Sequence, residues 1–309
     1  MDKEILTASV EDIFKEAGFA TSERCHSRPR SFDLAARRGD ILVLVKILSN
    51  IDGLNMKTAR EIRRLAKYLL GRSLLVGEKT RDHHLERGAV YFRYGVPTVS
   101  PSTLADFLID NLPPLVYAAH GGLYVRINGI LMRELRLKRG ISIGALAAEL
   151  GVSRRTVSKY EMESMDTSVD IALRLEDLFD QELIQPVDIF GYDDPPEAPL
   201  EITDHILSLL AKMGFDVIPT TQAPFNAITQ NEDMIFLTGV SKFSASMLKK
   251  ARLMSNLSIV TMTHSALIVD GLTKIERVEE TAVIEKRELE GIYKTREFAD
   301  LVFERQNRD

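Results

Sequence analysis

Arg154, Arg155 and Lys159 are the residues of this chain best placed to do chemistry. A guanidinium carries a planar fork of donors that matches the O6/N7 edge of guanine or a pair of phosphate oxygens. Arg154 and Arg155 follow Gly151-Val152-Ser153 directly and Lys159 comes about a turn later, which places them on the opening turns of a helix. Arg154 or Arg155 paired bidentately with guanine would supply ~1–3 kcal/mol of discrimination between bases. Thr156 and Ser158 stand beside them in support. Arg136, Lys138, Arg139, Ser142 and Ser153 form a second set of donors suited to phosphate, which fixes orientation without reading sequence.

These side chains need a rigid support, and the surrounding spacing predicts one. Residues 131–139 read as an amphipathic helix, with Leu131, Leu135 and Leu137 on its apolar side and Arg133, Arg136, Lys138 and Arg139 on its basic side. Gly140 can take the left-handed conformation that ends it. Ser142 caps a second helix, whose buried face is Leu146, Ala147 and Leu150. Gly151 supplies the turn, Val152 fills the elbow, and Ser153 caps the third helix. Val157 and Tyr160 then point inward. A further helix follows from Val169 to Phe179, and Val187 to Phe190 is counted with it.

This segment resembles the helix-turn-helix of the lambda-repressor and Cro type. The match rests on Arg136, Gly140, Ser142, Leu146-Ala147, Gly151-Val152-Ser153, Val157-Ser158 and Glu161. The resemblance implies a recognition helix whose first two residues, and one about a turn later, read bases. Those positions hold Arg154, Arg155 and Lys159. Ile143 departs from the glutamine that the family often carries at the start of the second helix. Charge agrees with the resemblance. Residues 126–165 hold eight Lys/Arg against four acids, a local +4 in a chain of net −5.

The remainder is less basic. Residues 1–125 hold 18 basic and 15 acidic side chains, whereas residues 166–309 hold 14 and 26. An acidic C-terminal part is repelled by DNA and is expected to face a protein partner instead. No apolar run approaches a membrane span, and the acidic N-terminus does not read as a signal peptide. The single Cys25 excludes internal disulfides and Cys-rich zinc sites, so a cytoplasmic location is expected. The six histidines lack metal-ligand spacing, and no phosphate-cradling glycine loop precedes a helix. Neither cofactor nor metal is expected.

The two ends of the chain read as copies of one α/β unit. Each opens with a helix closing on Gly-Phe, at Gly18-Phe19 and Gly214-Phe215. Each continues with a hairpin: Phe32-Asp33 leads to Ile41–Leu44, and Phe225-Asn226 leads to Met234–Leu237. A helix follows, over 56–70 and 244–254, then an apolar strand at Ser73–Val76 or Ser258–Thr261. The order resembles the restriction-endonuclease-like fold, which implies an Asp on one strand and an acid-x-Lys on the next. Asp33 and Lys46 match, but Leu44 stands where the second acid belongs. In the second copy Asn226 replaces the acid and Gly239 the lysine. A degenerate, non-catalytic pair is therefore expected, because magnesium needs hard oxygen ligands.

Between the copies, Leu115–Ala119 and Leu123–Arg126 predict a hairpin over Gly121-Gly122, read as a strap joining domains, with a wing that contacts the DNA backbone through Arg126 as the alternative. Tyr192–Pro199 reads as a linker, and the charged stretch Glu279–Glu290 as a solvated face. Over nearly its whole length the order of parts resembles a family of archaeal helix-turn-helix transcriptional regulators. The fold expected is multidomain: α/β over residues 1–125, a five-helix lambda-repressor-like domain over 126–191, a linker over 192–200, and a second α/β domain over 201–309. The implied function is a non-enzymatic, sequence-specific regulator that binds double-stranded DNA as a homodimer. Half-sites about one helical turn (~34 Å) apart are expected for such a dimer. The alternative is a DNA nuclease or junction-processing enzyme guided by the same helix-turn-helix.

Overall fold

A computed structural model describes residues 3–191, 200–231 and 234–307. These residues form two compact units. One holds residues 3–47, 53–74 and 200–307, and the other holds 48–52 and 75–191. Residues of the N-terminal α/β segment thus belong to both. Most of the expected linker, residues 192–199, lies outside the described residues.

The first unit starts with helix α1 (Lys3–Glu16), which buries Leu6, Val10 and Phe14 along one stripe. Strands β1 (Ala20–Thr21), β2 (Leu34–Arg38) and β3 (Ile41–Asn50) then run antiparallel, with Leu34 opposite Val45 and Arg38 opposite Ile41. Helix α2 (Met56–Tyr68) is started by Asn55, whose side chain accepts from the Thr58 N–H at 2.9 Å.

Strand β4 (Arg72–Lys79) enters the second unit at Leu75, where Leu75 and Val76 pair in parallel with β6 (Val96–Val99). Strand β5 (Ala89–Arg93) pairs with β6 on one side. Helix α3 (Pro101–Leu108) follows, with proline at its first turn and Ser100 as cap. The hairpin of β7 (Val116–Ala119) and β8 (Gly122–Ile127) sets Tyr117 opposite Tyr124. Its β7 joins β5, while β8 pairs with β9 (Thr167–Ser168) and β10 (Ile184–Gln185). The hairpin therefore straps the sheet to the helices α4 (Gly129–Lys138), α5 (Ile143–Leu150), α6 (Arg154–Glu161) and α7 (Val169–Phe179).

That is four helices among the described residues of 126–191, where five were expected. The chain leaves α7 through a left-handed Asp180 and is drawn into the ladder against β8 as β10, so residues 187–190 form no helix. The inward stripe of α4 also differs from the expected one. Met132 and Arg136 are buried, whereas Leu137 is exposed.

The C-terminal part returns to the first unit. Helix α8 (His205–Lys212) precedes β11 (Asp216–Pro219), β12 (Ala227–Gln230) and β13 (Ile235–Lys242). Helix α9 (Ala245–Thr261), β14 (His264–Asp270), β15 (Arg277–Val278), β16 (Thr281–Glu285), α10 (Lys286–Leu289) and α11 (Thr295–Gln306) complete it. The sheet order is β11-β12-β13-β14-β16-β15, with β14 parallel to both neighbours. Phe215, Phe236 and Phe298 meet edge-on beneath it at 5.4–5.8 Å.

Two expectations fail here for the same reason, which is that burial outweighs local composition. Ser258–Thr261 continues α9 rather than forming a strand, because Ser258, Val260 and Thr261 pack inward. Thr281–Glu285 is a buried strand inside the charged stretch, held by its parallel partner β14, and not a solvated face.

The two expected copies share a backbone hydrogen bond at the same hairpin position. Asp33 N–H donates to Val45 O at 2.7 Å, and Asn226 N–H donates to Thr238 O at 2.8 Å. Side chains of the N-terminal segment reach the backbone of the C-terminal one within the same chain. Arg37 of the first donates to Val260 O and Thr261 O on the second, and Glu61 of α2 accepts from the Thr221 N–H at 2.7 Å.

Candidate nucleic-acid interface

The geometry around α6 comes from three backbone devices. Ser142 accepts from the Ala145 N–H at 3.0 Å and starts α5. Gly151 ends α5 at φ 69°, a conformation that costs an L side chain about 1 kcal/mol. Ser153 accepts from the Thr156 N–H at 3.0 Å and starts α6. Leu146, Ala147, Leu150, Val157 and Tyr160 are buried where α5 and α6 meet.

This support leaves Arg154 and Arg155 exposed on the first turn of α6, with Lys159 half-buried a turn later. Thr156 and Ser158 are half-buried beside them. Ser158 donates back to Arg154 O at 3.1 Å, and Ser153 and Thr156 share a hydroxyl contact at 2.8 Å. Lys138 is exposed at the end of α4, and Ser142 is exposed at the start of α5.

Arg136 does not join this surface. It is 6% exposed and grips Glu161 with two hydrogen bonds, Nε to Oε1 at 2.5 Å and Nη2 to Oε2 at 3.1 Å. A third bond goes to Ile141 O at 2.9 Å. The hydrogen bond to Glu161 raises the arginine pKa further, against burial. A phosphate contact for Arg136 is therefore corrected to a clamp between α4 and the end of α6. Arg139 is also engaged. It donates to Leu178 O and Phe179 O at the end of α7 and lies over the Phe179 ring at 5.6 Å.

Two further residues shape the interface, and sequence reasoning assigned neither a role. Glu161 belongs to the matched helix-turn-helix pattern, and its pairing with a buried arginine explains why. Gly144 is the second residue of α5, and the Arg154 guanidinium lies directly over it. A Cβ there would stand 3.0 Å from Arg154 Nε. A glycine in a helix otherwise rich in alanine and leucine was the available signal.

The nuclease-like strands are built with similar economy. Asp33 is 3% exposed, and Lys46 Nζ stands 3.5 Å from its Oδ2, so the two matched residues do come together. Asp33 Oδ2 also accepts from the Ile47 N–H at 2.8 Å, and Oδ1 accepts from Arg30 Nε at 2.7 Å, with Lys3 at 3.6 Å. Burial pushes the Asp33 pKa up, but Lys46, the Ile47 amide, Lys3 and Arg30 together hold it below the usual carboxylate range. Lys46 is itself pulled down by burial, against Asp33.

A magnesium ion, which the restriction-endonuclease-like fold implies, does not fit these residues. Both oxygens of Asp33 are engaged by protein cations and an amide, and Leu44 fills the place of a second acid. Among the described residues no group of three or more His, Cys, Asp or Glu side chains could hold a metal ion. No helix of the described residues is long and apolar enough to cross a membrane.

Comparison with known proteins agrees with both parts. Residues 3–114 match a family model described as a PD-(D/E)XK superfamily domain, and residues 132–184 match one described as helix-turn-helix. A Methanosarcina mazei protein named "Putative HTH-type transcriptional regulatory protein" is 46% identical, covering 99% of both chains. A Methanococcoides burtonii protein with the same name is 46% identical over 100% of this chain and 99% of its own. A Natronomonas pharaonis relative is 46% identical over 99% of each. No solved structure matches.

Proposed function

This chain belongs to the family of archaeal HTH-type transcriptional regulatory proteins, and we propose that it is a DNA-binding regulator that reads the major groove with α6. Arg154, Arg155 and Lys159 contact bases in this reading, with Thr156 and Ser158 in support. Lys138, Ser142 and Ser153 hold phosphates. The observation that carries it is the pairing of exposed arginines with a rigid base. Arg154 and Arg155 project from a capped helix end whose opposite side, at Val157 and Tyr160, is locked into the core.

Residues 126–191 act as a Cro-type DNA-binding domain, residues 1–125 and 201–309 as paired nuclease-like domains, and residues 192–200 as the link. One helix-turn-helix reads only a few base pairs, so a homodimer binds a palindrome with half-sites about one turn (~34 Å) apart. The acidic C-terminal domain is left to a protein partner. The protein works in the cytoplasm, where the chromosome is.

Selection from a random-sequence duplex pool tests the reading. The wild-type chain enriches a motif, whereas Arg154→Ala/Arg155→Ala enriches none while still being retained on DNA at low salt. Unchanged enrichment by the double variant removes α6 from recognition.

The meeting of Asp33 with Lys46 raises the nuclease alternative. We assign no cleavage to it, because three cations and an amide take up the carboxylate. Incubation of plasmid with the protein in magnesium or manganese leaves it intact in this reading. Cleavage that disappears in Asp33→Ala reverses the assignment.

A further inference from the structure

The two copies of the α/β unit differ in one respect that bears on ligand binding. In the first, the buried carboxylate of Asp33 is matched by nearby cations. In the second, the same backbone position holds neutral Asn226, yet a cation still approaches it. Lys250 Nζ donates to Asn226 Oδ1 at 2.5 Å and to Val240 O at 3.1 Å. Both acceptors are uncharged. Among the described residues no carboxylate forms an ion pair with Lys250.

This lysine lines a cavity of about 660 Å³. That size falls in the range of small-molecule sites, roughly 300–1,000 Å³. Lys249, Lys250 and Leu253 follow Ser246 on α9 by three, four and seven residues, so one helix face supplies a hydroxyl, two ammonium groups and an apolar wall. Arg252 also lines the cavity, with Glu279 3.9 Å from its Nε. Ala223 and Pro224 form more of the apolar wall. From the first copy, Glu23, Arg24 and His26 face the same space. Arg24 is already engaged with Glu4 and Glu11.

The equivalent place in the first copy shows the same helix position closed. Asn55 caps α2 and Ser244 caps α9, and Glu61 and Lys250 lie at the same step after those caps. Glu61 accepts from the Thr221 and Gln222 N–H groups of the opposing copy, at 2.7 and 3.3 Å. There an anion meets two backbone donors and the Arg64 guanidinium, at 2.6 Å. At Lys250 the sign is reversed, and the site is left open.

We propose that the cavity between α9 and residues 23–27 binds a small phosphate-bearing organic molecule. The phosphate is held by Lys249, Lys250 and Ser246, and the apolar body rests on Ala223, Pro224 and Leu253. A small ligand is favoured over nucleic acid because residues 166–309 carry 26 acids against 14 basic side chains. Such a surface repels a polyanion, whereas a small anion reaches the local cations within a Debye length of about 10 Å. The inference does not depend on α6 reading DNA.

The charge of Lys250 sets the pH range of binding. Burial pulls its pKa down to about 8, partly opposed by the carboxylate of Asp204 at the start of α8. Lys249 and Arg252 on α9, and Glu23, Arg24 and His26 from the first copy, are the other charged or titratable groups around the cavity. A phosphate monoester is already mostly dianionic above its second pKa of about 6. Raising the pH through 8 therefore weakens binding by neutralising the lysine and not by changing the ligand.

Calorimetric titration of the full chain tests this, with adenosine monophosphate, phenyl phosphate, glycerol phosphate, uncharged adenosine and a short oligonucleotide as probes. At least one monophosphate is expected to bind once per chain, and adenosine not at all. Lys250→Met and, separately, the exposed Lys249→Gln are expected to weaken it at least tenfold, and binding should fade above pH 8. Lys249→Gln keeps the test open if Lys250→Met does not fold. Absence of binding by all three monophosphates overturns the proposal. So does affinity that neither variant changes, or lysine-dependent binding of the oligonucleotide alone.

Discussion

Asp33 and Asn226 are structural equivalents. Each accepts a 2.8 Å hydrogen bond from the backbone N–H fourteen residues on, Ile47 in one case and Val240 in the other. One is charged and the other is not, and the cations nearby differ accordingly. Asp33 has Lys3, Arg30 and Lys46 around it, and Asn226 has Lys250.

Exchanging the two should expose this balance. Asp33→Asn leaves a buried lysine unpaired and is expected to cost about 3 kcal/mol. The sign with pH follows from the lowered carboxyl pKa. The stabilisation is complete above the unfolded value of about 4 and is lost as pH falls through the folded value. Urea denaturation across that range should show a shallower acid dependence in the variant. Asn226→Asp should do the reverse at the other copy. It is expected to raise the Lys250 pKa from about 8, read by NMR titration of the lysine, and to block phosphate monoesters.

Arg136 and Glu161 should behave as a buried ion pair. Either single change to alanine is expected to lower stability by about 3–5 kcal/mol. The apolar double variant Arg136→Met/Glu161→Leu should recover most of that loss. Thermal and urea unfolding of the three variants decides it. Additive losses in the double variant would contradict a mutual pair.

Gly144→Ala separates stability from recognition. Alanine is a better helix residue than glycine by about 1 kcal/mol. Its Cβ, however, would meet the Arg154 guanidinium at 3.0 Å and push it off the helix. The expected outcome is a slightly higher unfolding temperature with reduced discrimination between the selected motif and a scrambled duplex. Undiminished discrimination means that Arg154 is positioned by something other than Gly144.

Lys138→Ala should affect affinity without affecting selectivity. Loss of one phosphate contact is expected to reduce the slope of log affinity against log salt by about 0.9. Fluorescence anisotropy over a salt series measures it. A changed sequence preference would instead place Lys138 at a base edge.

How much of this was legible beforehand depended on how local the cause was. The caps at Ser142 and Ser153, the left-handed Gly151 and the inward Val157 and Tyr160 arise from backbone stereochemistry and helical period within a few residues. The sequence by itself therefore determined helix α6, its start and its exposed arginines. The Asp33–Lys46 match was available only through the resemblance to the restriction-endonuclease-like fold, and the β2–β3 register, with Leu34 opposite Val45, is what brings the two together.

Only the tertiary structure decided the fate of Arg136. A basic residue on an amphipathic helix looks solvated until Glu161, 25 residues away, arrives to seal it. The same holds for Thr281–Glu285, whose burial comes from β14 and not from its own charged neighbours, and for the end of α9, where packing kept β-branched residues helical. The open site at Lys250 is the furthest case. Residues 23–27 and 220–253 meet there, and no single stretch of chain contains both sides of that contact.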